Sequence, residues 1–490
     1  MGGFATVLQP SFLLYAFVGC MLGTLIGVLP GIGPAAGTAI LIPVTTVLDP
    51  TGSIIMLAAI YYGAMYGGTI TSVLINTPGE AASAVTCLDG YEMAKRGRAG
   101  PALAIAAIGS FIGGTVATMG LVVLALPLTR LALTFGPPEI FALLVVGLTL
   151  VTALASRSVV RALIAAVLGL LIAQVGIDPV MGAARFTFGR LELMDGVNIV
   201  PVVMGLFGIA EILLNAERRA GAVFAAGVGS LYLSRQDVRD SAAPIARGTF
   251  IGFFLGLVPG LGSMIPTFLS YAVEKRVSRT PEKFGTGAIE GVAGPETANN
   301  SYANAALIPL FTLGIPSSPT IAVLMGAFMI NGLVPGPSLF VENPQFVWAV
   351  IASLVVGNAM LLVLNLPLIP LWVSMLRIPY PILVAVILGF CVIGVYSLNN
   401  SAFDIWVMLV FGLVGYAFRK LDIPAAPLVL TLVLGPLMER GLRQSLEMSG
   451  GAFSIFLERP LALSLLVFAA LVLAASSLRL FQQVKADSEV

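Results

Sequence analysis

Gly27-Val-Leu-Pro-Gly-Ile-Gly33 ends an apolar run near the start of the chain, and Gly256-Leu-Val-Pro-Gly-Leu-Gly262 repeats the pattern in its second half. Proline and glycine break a helix, so each copy predicts a re-entrant hairpin that turns inside an apolar segment. A single copy would favour the simpler reading, a kink in an ordinary membrane helix. Two copies instead predict an internal repeat.

The composition around these motifs is that of a membrane protein. The chain has 490 residues, of which 58% are hydrophobic and 10% charged, whereas soluble proteins carry about 25% charged residues. We therefore predict an all-α polytopic membrane protein of about 11–14 apolar segments. The net charge of +1 gives no basic surface for nucleic acid. Because histidine is absent, common zinc sites and Ser-His or Cys-His catalysis are excluded.

Basic loops predict the orientation of the spans. Lysine and arginine mark the cytoplasmic side, and clusters at 95–98, 157–161, 218–247 and 275–283 place the second hairpin with both flanks inside. The two units then have opposite orientation, as inverted repeats of secondary transporters do. The predicted division is a first repeat at 1–130, connecting helices at 131–215, a cytoplasmic loop at 216–247, a second repeat at 248–376, and C-terminal helices with a short tail at 377–490.

Polar residues concentrate in two apolar regions, 61–80 and 294–320. Both contain hydroxyls, amides and glycines with almost no cationic side chain. An anion would be bound there by free N–H groups at helix starts, and sodium by backbone carbonyls and side-chain oxygens. The alternative for a single Ser or Thr is a hydroxyl bonded back to its own helix.

The acidic residues are interpreted separately. Glu296 is a candidate sodium ligand or proton-coupling group, or else lies at a wet surface. Glu80 and Glu290 are weaker candidates. Asp89 and Glu92 are expected in a solvated cytoplasmic loop beside Lys95, and Glu211 is expected to face cytoplasmic water, since each stands near a predicted cytoplasmic cluster. The three cysteines, at positions 20, 87 and 391, are expected to be packing residues.

The chain resembles the large membrane subunit of the tripartite tricarboxylate transporter family over essentially its full length. The resemblance rests on Gly27–Gly33, on Tyr66-Gly-Gly-Thr69 with Ile75-Asn-Thr-Pro-Gly79, and on Pro295-Glu-Thr-Ala-Asn-Asn300 with Ile308-Pro-Leu-Phe-Thr-Leu-Gly-Ile-Pro316. It implies a bacterial inner-membrane permease that works with a small membrane subunit and an extracytoplasmic solute-binding protein. The implied activity is symport of citrate-like di- or tricarboxylates with sodium or protons, by alternating access of an elevator-like kind.

We expect the binding residues at the hairpin turns and in the two polar regions. The substrate candidates are Gly31, Gly33, Ser72, Asn76, Thr77, Gly260, Gly262, Asn299, Asn300, Ser317 and Ser318, and the ion-coupling candidates are Thr69, Asn76, Glu296 and Asn300. No catalytic residue, metal site or cofactor is expected beyond the coupling ion, Na⁺ or H⁺. A passive anion channel, or a permease for another small solute, stays open as an alternative.

Overall fold

The computed structural model describes residues 2–29, 33–154, 158–178, 181–217, 228–375 and 380–488. In this part of the chain the protein is helical except for one two-stranded hairpin, which confirms the all-α prediction. Six of the described helices are long and apolar enough to cross a membrane, and several shorter apolar helices accompany them. The chain is therefore a multi-pass membrane protein.

The first repeat region contains six helices. They are α1 (Gly2–Val7), α2 (Pro10–Val28), α3 (Gly33–Thr45), α4 (Pro50–Ile75), α5 (Thr86–Lys95) and α6 (Ala99–Ala132), with a 3₁₀ turn at Ala82–Ala84. Asp49 caps α4 because its carboxylate accepts hydrogen bonds from the backbone N–H groups of Thr51 and Gly52. The apolar window of α4 is completely buried, so this helix forms the centre of the fold.

The connecting region places a small hairpin between helices. Its elements are α7 (Pro137–Leu154), α8 (Val159–Ala173), β1 (Gly176–Ile177), β2 (Ala184–Arg185), a 3₁₀ turn at Leu191–Leu193, α9 (Ile199–Val203), a π-helical segment at Met204–Ile209 and α10 (Ala210–Glu217). The strands are antiparallel, with Gly176 opposite Arg185. The loop predicted over 216–247 is helical in its second part, because the next helix begins at Arg235.

The described part of the second repeat region contains eight helices. It contains α11 (Arg235–Gly256), α12 (Met264–Val277), a 3₁₀ turn at Pro281–Lys283, α13 (Glu290–Ala305), α14 (Leu307–Leu313), α15 (Pro319–Ile330), α16 (Pro337–Glu342), α17 (Pro344–Asn365) and α18 (Ile369–Met375). The C-terminal helices are α19 (Tyr380–Asn399), α20 (Ala402–Lys420), α21 (Ala425–Met448), α22 (Ile455–Glu458) and α23 (Pro460–Ser488).

Glycines at four-residue spacing join α2 to α4 in the first region and α11 to α13 in the second. In α2, Gly19 lies against Met56 and Gly27 against Ala64, so α2 and α4 run parallel. In α11, Gly248 lies against Gly294 and Gly256 against Tyr302, so α11 and α13 also run parallel. Small residues spaced in this way let helix backbones approach closely. The central residues of the two series are Gly23 and Gly252.

The two regions run in opposite directions. Asn304 lies against Gly114 and Thr297 against Gly109, so α6 is parallel to α13. Asn358 bonds to Phe111, and Asn365 lines a cavity with Leu103, so α6 is antiparallel to α17. The chain through α1 and α2 runs parallel to α17, because Gly3 lies against Trp348 and Cys20 bonds to Gly357. These directions support the inverted repeat, which stays a prediction.

An ion pair joins the two helices of the second hairpin. Arg247, in the middle of α11, donates to the buried Glu274 near the end of α12, with 2.7 Å from Nε to Oε1. The two residues lie at similar distances from the break at 257–263, as in two antiparallel arms of one hairpin. Both helices are shorter than a typical full span of about 20 apolar residues when their polar ends are left out.

The close glycine packing gives a stability prediction. Gly23→Ala places a Cβ on the backbone of Ile60, so it is expected to lower the free energy of unfolding by about 1–3 kcal/mol. Gly389→Ala in α19 is the matched control, because nothing lies within 4 Å of the added atom. Thermal unfolding in detergent can be followed with a thiol-reactive dye, since Cys20 and Cys391 are buried. Equal losses in both variants would contradict the parallel packing.

Candidate functional site

Two helix breaks lie at corresponding places in the two regions. The helix α4 ends at Asn76 in the left-handed conformation (φ 53°), and α14 ends at Gly314 in the same conformation (φ 69°). A proline follows two residues later in each case, at Pro78 and Pro316. We call residues 76–85 the first break and residues 314–318 the second break. Both interrupt helices whose neighbouring residues are largely buried.

The first break contacts the end of α2, and the second break contacts the turn of the second hairpin. Gly79 of the first break lies against Gly27, directly before the first turn, and has no room for a side chain. Gly260 of the second turn has φ 84° and donates its N–H to the carbonyl of Ser317, at 3.1 Å. Gly31 lies outside the described residues. Gly33 and Gly262 both have left-handed backbones and face open space.

Glu296 joins the two regions through hydrogen bonds to its carboxylate. The side chain is 1% exposed. Thr69 of α4 donates to Oε2 at 2.6 Å, and Thr86, the first residue of α5, donates to Oε1. Of the two open readings, a membrane carboxylate or a wet surface, the structure supports the buried one. The predicted ion-coupling residues Thr69 and Glu296 are thus in direct contact.

A second buried acid, Glu80, lies in the first break. It is 7% exposed, and its Oε1 accepts a hydrogen bond of 2.6 Å from Nδ2 of Asn299. The Oδ1 atom of Asn299 is buried without a hydrogen-bond partner. Within the described ranges neither Glu80 nor Glu296 has a lysine or arginine partner. A buried carboxylate without a cation is costly, so this pair needs a proton or a bound cation.

Amide side chains continue the polar contacts along α13. Asn300 donates to the hydroxyl of Ser110 in α6 at 2.7 Å, and Ser110 lies 3.3 Å from the carbonyl of Glu296. Tyr66 donates to Oδ1 of Asn358 in α17, also at 2.7 Å. Thr86, Ser110, Tyr66 and Asn358 were not among the predicted site residues. Tyr66 does lie in the polar region 61–80, but no local pattern marks the other three, because each is defined by a partner far away in the chain.

Other predicted residues bond within their own segment. Ser72 donates to the carbonyl of Gly68 at 3.0 Å, as the alternative for a single hydroxyl anticipated. Thr77 is exposed and bonds to Ile75, and Asn76 is exposed at the end of α4. None of these three residues has a described hydrogen bond to Glu80 or Glu296.

The two serines of the second break have local roles. The Ser317 hydroxyl donates to the carbonyl of Ala306 at 3.3 Å, while its own carbonyl accepts from Tyr302. Ser318 caps α15 by accepting from the N–H of Ile321. The N-terminus of α15 thus lies at this break. Pro319 has no N–H, and the N–H groups of Ile321 and Ala322 bond to Ser318, so the N–H of Thr320 is the donor that this first turn can offer to an anion.

The expectation that Asp89 is solvated was wrong. Its side chain is completely buried, and Oδ1 accepts hydrogen bonds from the backbone N–H groups of Gly285, Gly287 and Ala288 at 2.7–2.9 Å. Tyr271 donates to Oδ2 at 2.8 Å. Asp89 therefore joins α5 to the loop before α13. No local pattern predicts this burial, because all four donors belong to a distant segment.

The remaining acids lie away from this centre. Glu290, at the start of α13, is half-buried, and Glu92 pairs with Lys95 on the surface. Glu211 lies 3.6 Å from Arg419. These three residues are not among the described contacts of Glu80 and Glu296.

Neither of two larger cavities has Glu80 or Glu296 in its wall. A groove of about 540 Å³ between α6 and α11 is lined almost entirely by apolar side chains. A cavity of about 850 Å³ beside the β-hairpin has Arg185, Arg440 and Arg443 in its wall. Arg185 and Arg443 are paired with acids, among them Glu439 at 2.8 and 2.7 Å, whereas Arg440 has no ion pair among the described residues.

The comparisons with known proteins agree with the resemblance drawn from the motifs. Residues 13–430 match the Tripartite tricarboxylate transporter TctA family. An uncharacterized 52.8 kDa protein in the TAR-I ttuC' 3' region of Agrobacterium vitis is 49% identical over 465 residues, 95% of this chain and 93% of that protein. An uncharacterized protein in the TAR-II ttuC' 3' region is 48% identical over 215 residues, 44% of this chain and 89% of its own length. No solved structure matches the chain.

Proposed function

Because the chain belongs to the tripartite tricarboxylate transporter TctA family, we propose that it is the permease subunit of a secondary transporter for small di- or tricarboxylates. Family membership identifies a membrane subunit of a transporter. The proposal adds the direction of transport, import across the bacterial inner membrane, and its driving force, a sodium or proton gradient. It also takes the protein to be no enzyme and to need no cofactor other than the coupling ion.

We further propose the two partners that the family description implies. A small membrane subunit would complete the permease, and an extracytoplasmic solute-binding protein would deliver the carboxylate. The choice between citrate and another carboxylate would then depend partly on the binding protein. Movement of one part of the fold against another, of the elevator kind, is proposed for the transport step.

The buried acid pair is the observation that supports coupling to an ion. Glu80 lies in the first break and Glu296 on α13, and each is bound by groups from the opposite region. An ionised carboxylate in a low-dielectric interior requires compensation. Uptake or release of a cation here would therefore change the energy of contacts that join the two regions. Such a link is what a transporter needs to couple ion binding to movement.

The second break is the proposed substrate site. The N-terminus of α15, capped by Ser318, supplies the N–H of Thr320 and the positive end of the helix dipole. The turn at Gly260 lies against Ser317, so two backbone segments meet there without large side chains. Glycine at this position lets a carboxylate approach the backbone closely.

Transport in liposomes tests the proposal. The chain is reconstituted with its small membrane subunit and binding protein, and uptake of labelled carboxylates is measured under an imposed sodium or proton gradient. Uptake that requires one gradient supports a secondary transporter. Carboxylate flux that follows only its own gradient would show the alternative, a passive channel. Uptake of a different class of solute would overturn the substrate assignment.

A substitution at Asn300 tests the contacts between α13 and α6. Asn300→Leu removes the donor to Ser110, and we expect uptake to fall at least about 10-fold, because a buried partner is left unsatisfied. Asn331→Leu is the control, since Asn331 is partly buried at the end of α15 and bonds only within its own helix. Membrane insertion is checked by size-exclusion chromatography. Wild-type uptake by an Asn300→Leu protein that inserts in the membrane would show that transport does not depend on this contact.

A further inference from the structure

A small cavity lies between α4, α6 and α17, next to the Glu296 contacts. Its volume is about 20 Å³, and four polar side chains are in its wall: Tyr66, Thr69, Ser110 and Asn365. The other lining residues are apolar. A volume of this size holds about one water-sized sphere. The cavity is thus far too small for a tricarboxylate but large enough for one dehydrated ion or one water.

Three of the four polar side chains in the cavity wall already donate their hydroxyl hydrogen to other groups or lie within donating distance of one. Thr69 donates to Glu296, and Tyr66 donates to Asn358. Ser110 lies within donating distance of the Glu296 carbonyl and accepts from Asn300. The amide nitrogen of Asn365 donates one of its two hydrogens to the carbonyl of Leu361 at 3.0 Å. Apart from the second amide hydrogen of Asn365, what these four groups can still offer to the cavity is oxygen lone pairs.

One of these oxygens has no partner at all. Asn365 is 5% exposed, and its Oδ1 is buried without a hydrogen bond. Such an orphan acceptor costs about 1–3 kcal/mol unless something occupies the space beside it. A water molecule could donate two hydrogens there, but among the lining side chains its own lone pairs would find a donor only in the second amide hydrogen of Asn365. A cation needs only the oxygens.

Charge and size select the kind of cation. The carboxylate of Glu296, bonded directly to Thr69, supplies a negative charge beside the cavity and has no cationic partner among the described residues. Magnesium keeps several waters and calcium takes six to eight oxygens, which a single-sphere cavity cannot provide. The described residues also contain no cluster of three or more acidic or cysteine side chains. A hard monovalent cation fits these limits.

We propose that this cavity is a sodium site formed by oxygens of Thr69, Tyr66, Ser110 and Asn365 and balanced by Glu296. Sodium binding there rests on the cavity alone, whereas its use in coupling rests on the proposed transport function. Occupancy would orient Thr69 and so fix the contact between α4 and α13. An empty site would leave the negative charge of Glu296 without a compensating cation. This favours a different arrangement of the two regions.

The test measures sodium binding without transport. Purified wild-type protein is unfolded thermally in sodium, potassium or choline chloride at equal ionic strength, and binding of ²²Na⁺ is measured directly. We expect stabilisation by sodium only. In Asn365→Leu the dissociation constant for sodium should rise about 10-fold or more. Asn331→Leu is the matched control, because Asn331 makes the same bond to a carbonyl four residues earlier.

Further variants distinguish the loss of sodium ligands from misfolding. Asn365→Asp keeps an oxygen at the position and should retain sodium binding, while Ser110→Ala should weaken it if the protein folds. Equal stability of the wild type in sodium and choline, or unchanged sodium binding in Asn365→Leu, would overturn the site. Uptake driven by protons without sodium would support the proposed transport function and show that the sodium site has no role in coupling. Sodium binding without carboxylate uptake would support the sodium site and contradict the proposed transport function.

Discussion

Replacing Glu296 with glutamine is expected to lower coupled uptake about 100-fold, which corresponds to about 2.7 kcal/mol. The glutamine side chain has nearly the same shape and still accepts a hydrogen bond from Thr69 or Thr86. What it lacks is the negative charge that a coupling cation would compensate. The substitution therefore separates a role in coupling from a role in packing. It is measured as initial uptake into proteoliposomes under an imposed ion gradient.

The control for this variant is Glu192→Gln, at an exposed position of the 3₁₀ turn Leu191–Leu193. It makes the same change in charge where water already solvates the carboxylate, so uptake should stay within about 2-fold of wild type, as for most surface substitutions. Thermal unfolding of both variants shows whether the protein is intact. A folded Glu296→Gln protein with normal, gradient-dependent uptake would exclude Glu296 as the coupling group.

Asp89→Leu is expected to destabilise the protein by about 3–6 kcal/mol. The reason is that Oδ1 satisfies three backbone N–H groups, of Gly285, Gly287 and Ala288. Each buried donor left without a partner costs about 1–3 kcal/mol. Water would reach some of these groups once the loop moves, which keeps the total below the full sum. The measurement is unfolding in detergent, followed by the reactivity of the buried Cys20 and Cys391.

Two further substitutions define the role of Asp89. Asp89→Asn keeps one acceptor oxygen and should cost less than half as much, although it loses the charge. Glu92→Gln, three residues later on the exposed side of α5, should change the unfolding temperature little. If Asp89→Leu were as stable as Glu92→Gln, the loop 278–289 would not depend on this carboxylate.

The inverted arrangement could be predicted in part because its signals are local. Pro-Gly motifs at 30–31 and 259–260 mark the breaks, and clusters of basic residues mark the side of the membrane. A further local signal was missed. Gly19, Gly23 and Gly27 repeat at four-residue intervals, as Gly248, Gly252 and Gly256 do, and in the structure these glycines make the parallel contacts to α4 and α13. That spacing would have strengthened the case for a repeat.

The polar site was predicted unevenly. Glu296, Asn299 and Asn300 were found because polar residues are rare in apolar segments, and all three are buried. Ser72 and Thr77 have the same composition around them but bond to their own segment. Nothing in the local sequence separates these two groups of residues. The difference lies in which neighbouring helix faces each side chain.

Composition and local motifs by themselves determined that the protein is a multi-pass helical membrane protein of a transporter family, and where its helices break. Hydrophobicity, proline and glycine act on the chain within one helix, so their effects can be read from neighbouring residues. The tertiary structure alone decided that Glu80 bonds to Asn299, that Thr86 bonds to Glu296, and that Asp89 is buried. These are contacts between residues about 200 positions apart. Their free energy depends on how whole helices pack, which no local pattern encodes.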